Sequence, residues 1–453
     1  MKHTLTMMLI GSIIAMTLSA AGQGSEPKVR FRLMTIDPGH FHAALIQKFM
    51  YADVDPRVQV YAPAGDDLQQ HLKRIEQFNS RTNEPTAWQQ ELYTGDDFLE
   101  KALTTKPGNI VVLAGNNARK TEYILKCVQA GLHVLADKPM AITTADFTKL
   151  QEAFIVAEAK GVLLYDIMTE RFEITTALQR ELSRNQALFG TLVRGTAENP
   201  AITKESVHHF SKTVAGMPLK RPQWFFDVQQ EGEGIVDVTT HLVDLVQWEA
   251  FPDQALQPRD VKVMKARRWS TPLTREQFRK VTGAETFPNF LRKDVKDDLL
   301  HVYSNGEFTY TLRGVHAKVS VIWNFEAPPG TGDTHASIMR GTRANLVIRQ
   351  GANEQFKPVL HVENAGGAPA AEFEAALQSA LAAIPFRAIS FKRDGATWRI
   401  VVPEHYNAGH EAHFAQVTQN FLNYVRAGQL PSWERPNMLT KYATIMQAYE
   451  LSR

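Results

Sequence analysis

The chain has 453 residues, of which 44% are hydrophobic and 22% are charged, and its formal net charge is +2. A chain of this length and composition can bury a large core, and we expect two domains. Acidic and basic residues are spread along the sequence, without a basic block interleaved with aromatic residues. This distribution argues against a nucleic-acid partner.

The first 24 residues are predicted to form a secretory signal peptide. Lys2 precedes an apolar stretch over residues 5 to 18, and small residues follow at positions 19 to 21. The apolar stretch is about 14 residues long, whereas a helix needs roughly 20 residues to cross a bilayer. We therefore expect the mature chain to be periplasmic or otherwise exported, with no membrane segment after cleavage.

Strand-like and helix-like segments alternate from residue 29 to about residue 160. The apolar segments VRFRLMTI, VQVY, NIVVLAG and HVLA are typical of buried strands, and the segments between them are typical of helices, the first of which is predicted over residues 41 to 50. Such alternation indicates crossover units in a parallel sheet covered on both faces. Residues 25 to 160 are therefore predicted to form an α/β, Rossmann-like doubly wound domain, with its ligand at the carboxyl ends of the strands.

Residues 161 to 453 show a different pattern. After one more apolar strand, GVLLYDIM, longer segments such as LLHVYSNGEFTYTLRG and HAKVSVIWNFEA alternate polar and apolar residues between turns. This period of two predicts an α+β domain built on a mostly antiparallel open sheet with one solvent-exposed face. The segment GIVDVTTHLVDLVQWEA is predicted to be a helix within it. Two further helices close the chain and are expected to pack back on the first domain.

Two motifs carry chemically informative side chains. Asp137, Lys138 and Pro139 directly follow the predicted strand HVLA, and Asp237 and His241 lie four residues apart in EGEGIVDVTTHLVDLVQW. In their order and separation these motifs resemble the glucose-fructose oxidoreductase and inositol dehydrogenase (Gfo/Idh/MocA) family. The resemblance implies NAD or NADP as cofactor, a carbohydrate substrate, and a homo-oligomer paired through the open face of the second sheet.

Lys138, Asp237 and His241 are the candidate catalytic residues. Residues spaced i and i+4 share one face of a helix, which would place Asp237 beside His241. An alcohol that gives up a hydride must also lose its hydroxyl proton, so an imidazole beside a cation suits this chemistry. The resemblance implies that Lys138 polarises the substrate oxygen, His241 is the acid or base, and Asp237 orients or binds. Alanine at position 138 or 241 is expected to abolish turnover with little change in melting temperature.

The turn after the first strand reads DPGHFH where the family has G-x-G-x-x-G. Gly39 is retained, whereas Asp37 and His42 stand at the first and third glycine positions. Two interpretations remain open. In one, a cofactor binds at the amino terminus of the helix near Phe41, with a further donor from His40 or His42. In the other, the pocket serves another ligand or none.

Other predicted cofactor contacts follow the fourth and fifth strands. Gly115 permits close approach of the backbone, and Asn116 and Asn117 are candidate partners of a nicotinamide ribose or amide, with turn residues as the alternative interpretation. Asp137 and Lys138 are placed at the same edge of the sheet and are predicted to contact the cofactor as well. The second strand ends in Ala62, where the family often carries an acid for the ribose hydroxyls.

Candidate substrate contacts lie in the second half of the chain. Tyr165 and Arg171 lie in and just after the strand GVLLYDIM, and His209 and Trp224 fall in segments that lead to the Asp237 motif. An indole such as that of Trp224 suits stacking on a carbohydrate face. No metal site is predicted, because the neighbouring histidines 208 and 209 lack a regularly spaced third ligand.

These features predict an exported NAD(P)-dependent oxidoreductase that acts on a sugar or sugar derivative by hydride transfer. Free cofactor is scarce outside the cytoplasm, so the cofactor is expected to be tightly bound and recycled within the protein. The altered turn keeps a different class open, a non-catalytic carbohydrate-binding or structural protein that retains the fold. A second alternative is an NAD-dependent glycosidase or lyase that uses transient oxidation.

Overall fold

A computed structural model describes residues 30–214 and 217–453 of the chain. The predicted signal peptide, residues 1 to 24, lies outside the described residues. Within the described ranges, every helix is too short or too polar to cross a bilayer.

Six strands of the described residues form a parallel sheet in the order β3-β2-β1-β4-β5-β6. These strands are β1 Leu33–Ile36, β2 Arg57–Tyr61, β3 Gln89–Tyr93, β4 Ile110–Leu113, β5 His133–Asp137 and β6 Leu164–Ile167. The order reverses between β1 and β4, where Thr35 pairs with Val112 on one side and with Val60 on the other. A crevice at such a reversal is the ligand position of doubly wound sheets. The strand β6 belongs to this sheet although it begins beyond residue 160.

Helices connect the strands of this sheet. They are α1 His42–Leu45, α2 Asp66–Ser80, α3 Phe98–Thr105, α4 Asn117–Gln129 and α5 Thr144–Lys160. The first helix is a single turn, shorter than the predicted span of residues 41 to 50. Beyond Leu45 the backbone bonds run only three residues back, from Gln47 N–H to the Ala44 carbonyl and from Lys48 N–H to the Leu45 carbonyl. The chain therefore tightens and leaves the helix after Leu45.

The second domain is built on a ten-stranded, mostly antiparallel sheet within the described residues. The strands of this sheet are β7 Ile202–Ser211, β10 Val261–Leu273, β11 Val295–Lys296, β12 Leu299–Leu312, β13 Val315–Glu326, β14 Thr334–Arg340, β15 Ala344–Arg349, β16 Val359–Asn364, β17 Ser390–Asp394 and β18 Thr397–Val401. The strands β8 Thr213–Val214 and β9 Met217–Pro218 form a separate two-stranded ribbon. Only the β7–β13 pair is parallel among the strand pairs described in this sheet. The predicted fold class is confirmed.

The helices of the second domain link the two halves of the molecule. They are α6 Ile174–Ser183, α7 Thr239–Ala250, α8 Arg275–Thr282, α9 Ala370–Ala383, α10 His410–Ala427 and α11 Glu434–Leu451. From α10, Phe414 and Phe421 pack into the core of the first domain. From α11, Tyr442 joins that core while Ile445 joins the core of the second domain. The helix α11 is thus anchored in both cores.

Candidate active site and nucleotide cleft

An ion pair between Lys138 and Asp237 joins the two domains. Lys138 directly follows β5, and its Nζ lies 2.5 Å from Asp237 Oδ1, with side chains only 11% and 7% exposed. Burial lowers the pKa of Lys138, but the carboxylates of Asp237 and Asp137 outweigh it and raise that pKa above its ordinary value. The pair therefore places a fixed ammonium at the carboxyl edge of the parallel sheet.

His241 lies in the first turns of α7, near this ion pair. Burial lowers the pKa of His241 to about 4, with an opposing effect from Glu170 and a further lowering by Lys138. Its Nδ1 is buried and has no hydrogen-bond partner among the described residues. At neutral pH the imidazole is therefore uncharged and able to accept a proton. Asp237 lies just before α7, not on it as predicted.

Buried polar groups hold the turn that carries Lys138. Lys120 is 2% exposed, and its ammonium donates to the carbonyls of Asp137 and Pro139, at 3.0 and 3.3 Å, and to the side chain of Asn117. Asn117 in turn donates to the backbone carbonyl of Glu231 at 2.7 Å and to its carboxylate at 3.1 Å. Asn117, predicted to contact a cofactor, thus contacts the second domain. Glu231, which lies in the EGEG segment before Asp237, was not predicted as a site residue.

Two histidines from the altered turn surround Asp137. His42 Nδ1 lies 2.9 Å and His40 Nδ1 lies 3.5 Å from Asp137 Oδ2. Burial lowers the pKa of both imidazoles well below 6.5. Phe414 packs against His42 and Phe225 stacks on His40. These three polar side chains were predicted as separate cofactor contacts, but the structure brings them together as one cluster.

A cleft of about 310 Å³ opens at the carboxyl ends of β1, β2 and β4. It lies at the reversal of strand order described above. Its lining includes several predicted cofactor contacts together with the loop after β2, and consists of Asp37, Pro38, Gly39, Ala62 to Leu68, Asn116, Arg119, Trp224 and Gln230. The position is that of a nucleotide in a doubly wound fold.

The altered turn after β1 still packs closely against the turn after β4. Asp37 has a φ of 48°, a left-handed conformation that glycine adopts without strain. Its carboxylate accepts a bond from the Tyr123 hydroxyl at 3.1 Å and lies 3.5 Å from the Arg119 guanidinium. A Cβ on Gly115 would lie 2.1 Å from the Asp37 carbonyl oxygen, so only glycine fits there. Asn116 caps α4, accepting from Ala118 N–H at 3.1 Å.

Trp224 covers Gly39. Its indole Nε1 donates to Asp67 Oδ2 at 2.7 Å, and a Cβ on Gly39 would lie 3.0 Å from Trp224 Cζ2. This bridge joins α2 to the second domain and lines both the 310 Å³ cleft and a neighbouring cleft of about 400 Å³, which also includes His40 and Phe41. Trp224, predicted as a platform for a sugar, therefore lies over the backbone that approaches a pyrophosphate in this fold.

Tyr165 and Arg171, predicted to contact substrate, instead lie in a buried ionic network. Arg171 donates to Asp244 at 2.6 and 2.8 Å and to Glu434 at 2.8 Å, and the Tyr165 hydroxyl lies 3.1 Å from the same Glu434. The chain leaving β6 turns beneath α7 and α11, which supply these carboxylates. Both side chains therefore bind protein groups and do not face the cleft.

His209 also has a protein partner. It is 4% exposed, and its Nδ1 lies 3.3 Å from Asp333, which also pairs with His208 at 2.9 Å and with Lys212. Burial raises the pKa of Asp333, but the neighbouring Lys212 and His208 hold it well below its ordinary range. The predicted substrate contact at His209 is thus replaced by an ion cluster on β7.

Glu170 and His410 complete the surroundings of His241. His410 Nδ1 lies 3.3 Å from Glu170 Oε1, and both groups act electrostatically on His241. In the sequence, Glu170 directly precedes Arg171 after the strand GVLLYDIM, and His410 shares a helix face with His413 in HEAHF. Neither residue was predicted to act on His241.

Comparison with known proteins identifies the family. The family model described as "Putative oxidoreductase C terminal domain" matches residues 178–453, and the model described as "Oxidoreductase family, NAD-binding Rossmann fold" matches residues 67–165. The chain therefore belongs to the Gfo/Idh/MocA family of oxidoreductases. The resemblance stated from the Asp137 and Asp237 motifs is confirmed.

Solved structures and curated proteins show the same relationship. A "putative oxidoreductase" from Parabacteroides merdae is 52% identical, with a TM-score of 0.91, over 95% of this chain and 99% of that one. Levoglucosan dehydrogenase in complex with NADH and levoglucosan shares the fold, at 14% identity and a TM-score of 0.60 over 93% of this chain and 97% of that one. Biliverdin reductase A from Mus musculus is 32% identical over 98 residues, 21% of this chain. The match spans about a third of the length of the curated relatives.

Proposed function

We propose that the protein is an NAD(P)-dependent oxidoreductase that transfers a hydride to or from a hydroxyl-bearing carbon of a sugar or sugar derivative. One observation carries this proposal: the buried ammonium of Lys138, held by Asp237, lies near the uncharged imidazole of His241 at the carboxyl edge of the parallel sheet. This is the pairing that oxidation of an alcohol needs, since the developing alkoxide requires a cation and the proton requires an acceptor.

The residues of the 310 Å³ cleft fit a dinucleotide. Gly115 lets the turns after β1 and β4 touch. Asp66 and Asp67 at the start of α2 suit ribose hydroxyls, and Arg119 supplies a cation for phosphate. Trp224 must turn away from Gly39 for a pyrophosphate to approach the backbone there. When bound, NAD(P) supplies the hydride acceptor or donor.

The side chains of the protein then handle the substrate oxygen and its proton. The Lys138 ammonium donates to the oxygen and stabilises negative charge on it. The neutral His241 accepts the hydroxyl proton during oxidation and returns it during reduction. Asp237 keeps Lys138 charged and in place, while Lys120 fixes the backbone on either side of Lys138.

We further propose that the substrate is a carbohydrate and that the protein acts outside the cytoplasm. In that location it would retain its cofactor between turnovers. Levoglucosan dehydrogenase, which shares the fold, binds levoglucosan or L-sorbose together with NADH. The predicted signal peptide supports export, where free cofactor is scarce.

We also propose that two copies pair through the open face of the second sheet. Ile322 on β13 lies between the buried Val321 and Trp323, so its side chain is on the opposite face, where it is 38% exposed. A large apolar side chain is costly to leave in water, so a second copy covering it would stabilise the assembly.

The proposal is tested by the nucleotide content of the purified protein. Heat-denatured full chain is expected to release close to one equivalent of NAD(H) or NADP(H), identified by chromatography and absorbance. Protein that releases none should bind added nucleotide on titration and reduce it with an aldose or cyclic polyol. Failure of all three would exclude the oxidoreductase assignment.

The position of Trp224 favours the non-catalytic carbohydrate-binding alternative as the second candidate. Its indole already covers Gly39, so a protein without a cofactor would need no rearrangement. That alternative predicts sugar binding with no nucleotide binding. The glycosidase or lyase alternative predicts retained nucleotide whose redox state is the same before and after turnover, which product analysis distinguishes.

The variant Asp37→Asn is expected to tighten NAD(P) binding about tenfold at low ionic strength. Asparagine tolerates the left-handed backbone and still accepts the bonds from Tyr123 and Arg119, while one negative charge near the pyrophosphate is removed. Calorimetric titration at two salt concentrations measures the change, which should shrink at high salt. Asp298→Asn, on an exposed residue of the second domain, is the control. Weaker binding by Asp37→Asn would show that this carboxylate assists the nucleotide.

A further inference from the structure

A cluster of three side chains, His40, His42 and Asp137, brings metal-ligating atoms together at the carboxyl ends of β1 and β5. The ligand atoms all lie within 4.8 Å of one another. Imidazole nitrogen and carboxylate oxygen are ligands that zinc and neighbouring transition metals accept. We propose that this cluster, the histidine-aspartate cluster, binds one divalent transition-metal ion of the zinc type.

The distances within the cluster suit tetrahedral ligation. Ligands about 2.0 to 2.2 Å from a zinc ion are roughly 3.3 to 3.5 Å apart at tetrahedral angles. His40 Nδ1 already lies 3.5 Å from Asp137 Oδ2, and His42 Nδ1 lies 2.9 Å from it. The second separation must widen by about half an ångström. His40 Nδ1 also accepts a long bond of 3.4 Å from His42 N–H, which ligation would replace.

A second observation points to a ligand at the same place. Asp137 is 3% exposed, and its Oδ1 has no hydrogen-bond partner among the described residues. A buried carboxylate oxygen without a partner is costly, and a bound cation would compensate it. The adjoining ammonium of Lys138 is itself neutralised by Asp237 at 2.5 Å. The cluster thus has one carboxylate to offer a cation.

The histidine-aspartate cluster can be reached from a cleft. His40 lines the 400 Å³ cleft, which gives an ion a path to the cluster. Three protein ligands leave the fourth tetrahedral position for water or a substrate oxygen, as in catalytic zinc sites.

The metal proposal does not depend on the nucleotide, and its test therefore uses the metal alone. The full chain is freed of metal with a chelator and titrated with Co²⁺, whose visible spectrum reports tetrahedral nitrogen and oxygen ligands. We expect one ion per chain. His42→Gln should weaken binding by more than about a hundredfold, because even changes outside the ligand set cost up to that factor. His405→Gln, on an exposed histidine of the second domain, should bind as the wild type does.

A second variant guards against misfolding of the buried His42 site. The His40 side chain is 14% exposed, so His40→Gln is expected to fold, which circular dichroism checks. Zn²⁺ should raise the melting temperature of the wild type and leave that of His40→Gln unchanged. Wild type that binds no Co²⁺, or variants at 40 and 42 that bind it equally well, would overturn the proposal. Nucleotide release from the same preparation distinguishes this outcome from failure of the oxidoreductase assignment.

Discussion

Replacing Lys138 by alanine is expected to lower kcat about a hundredfold to a thousandfold, the usual effect of losing one group that stabilises a developing oxyanion. The structure adds a second effect that the sequence did not indicate. Asp237 is left buried without its cation, and breaking such a pair costs about 3 to 5 kcal/mol of the free energy of unfolding. The melting temperature, expected from the sequence to change little, should therefore fall.

A double variant separates these two effects. Lys138→Met with Asp237→Asn removes both charges at similar volume, and such neutral replacements are often as stable as the original pair. We expect urea unfolding to show near wild-type stability for the double variant, while steady-state kinetics show that kcat stays low. Lys280→Met, which breaks an exposed pair with Glu326, is the control and should change stability by about 1 kcal/mol or less. A double variant with wild-type kcat would refute the role of Lys138.

The fold could be predicted because its signals are local. The strand β4 is a continuous apolar run, and β1 and β6 are apolar except for Thr35 and Asp166. All residues of these three strands are buried, as a parallel sheet covered on both faces requires. The strands of the second sheet are also marked by a local signal, the alternation of polar and apolar residues. The early end of α1 could not be predicted. Its apolar residues are buried, and the same apolar pattern is compatible with backbone bonds that span four residues, as in an α-helix, or three, as beyond Leu45.

The candidate site was only partly predictable, because partners distant in the chain decide it. Lys138 and Asp237 came from motifs. The contact of His42 with Asp137 could not be predicted, because the two residues are 95 positions apart in the chain. Trp224 is separated from Asp67 by 157 residues. A pattern of residue types places a side chain on a strand or at its end, and it does not show which way the chain turns afterwards. The turn after β6 illustrates this, because it directs Arg171 towards Asp244 and Glu434 and away from the cleft.

Arg171→Leu is expected to destabilise the protein by about 3 to 5 kcal/mol and to leave the KM of the folded fraction unchanged. The guanidinium is shared by Asp244 and Glu434, which lie 73 and 263 residues away in the chain. Burial raises the pKa of Glu434, and burial also opposes ionisation of Asp244, whose pKa is held below its ordinary range by Arg171 and Lys441. Leucine would leave Glu434 buried without its cation.

The measurement that decides the role of Arg171 is urea unfolding alongside steady-state kinetics. Lys441 still lies 3.0 Å from Asp244 in the variant's network, so the main loss falls on Glu434. Arg171→Leu combined with Glu434→Gln should therefore recover part of the stability, which a substrate-binding role does not predict. Arg275→Ala, which breaks an exposed pair with Asp298, is the control for loss of an arginine. A stable Arg171→Leu protein with a raised KM would contradict this prediction. It would show that the guanidinium binds the substrate in the cleft and that its pairs with Asp244 and Glu434 contribute little to stability.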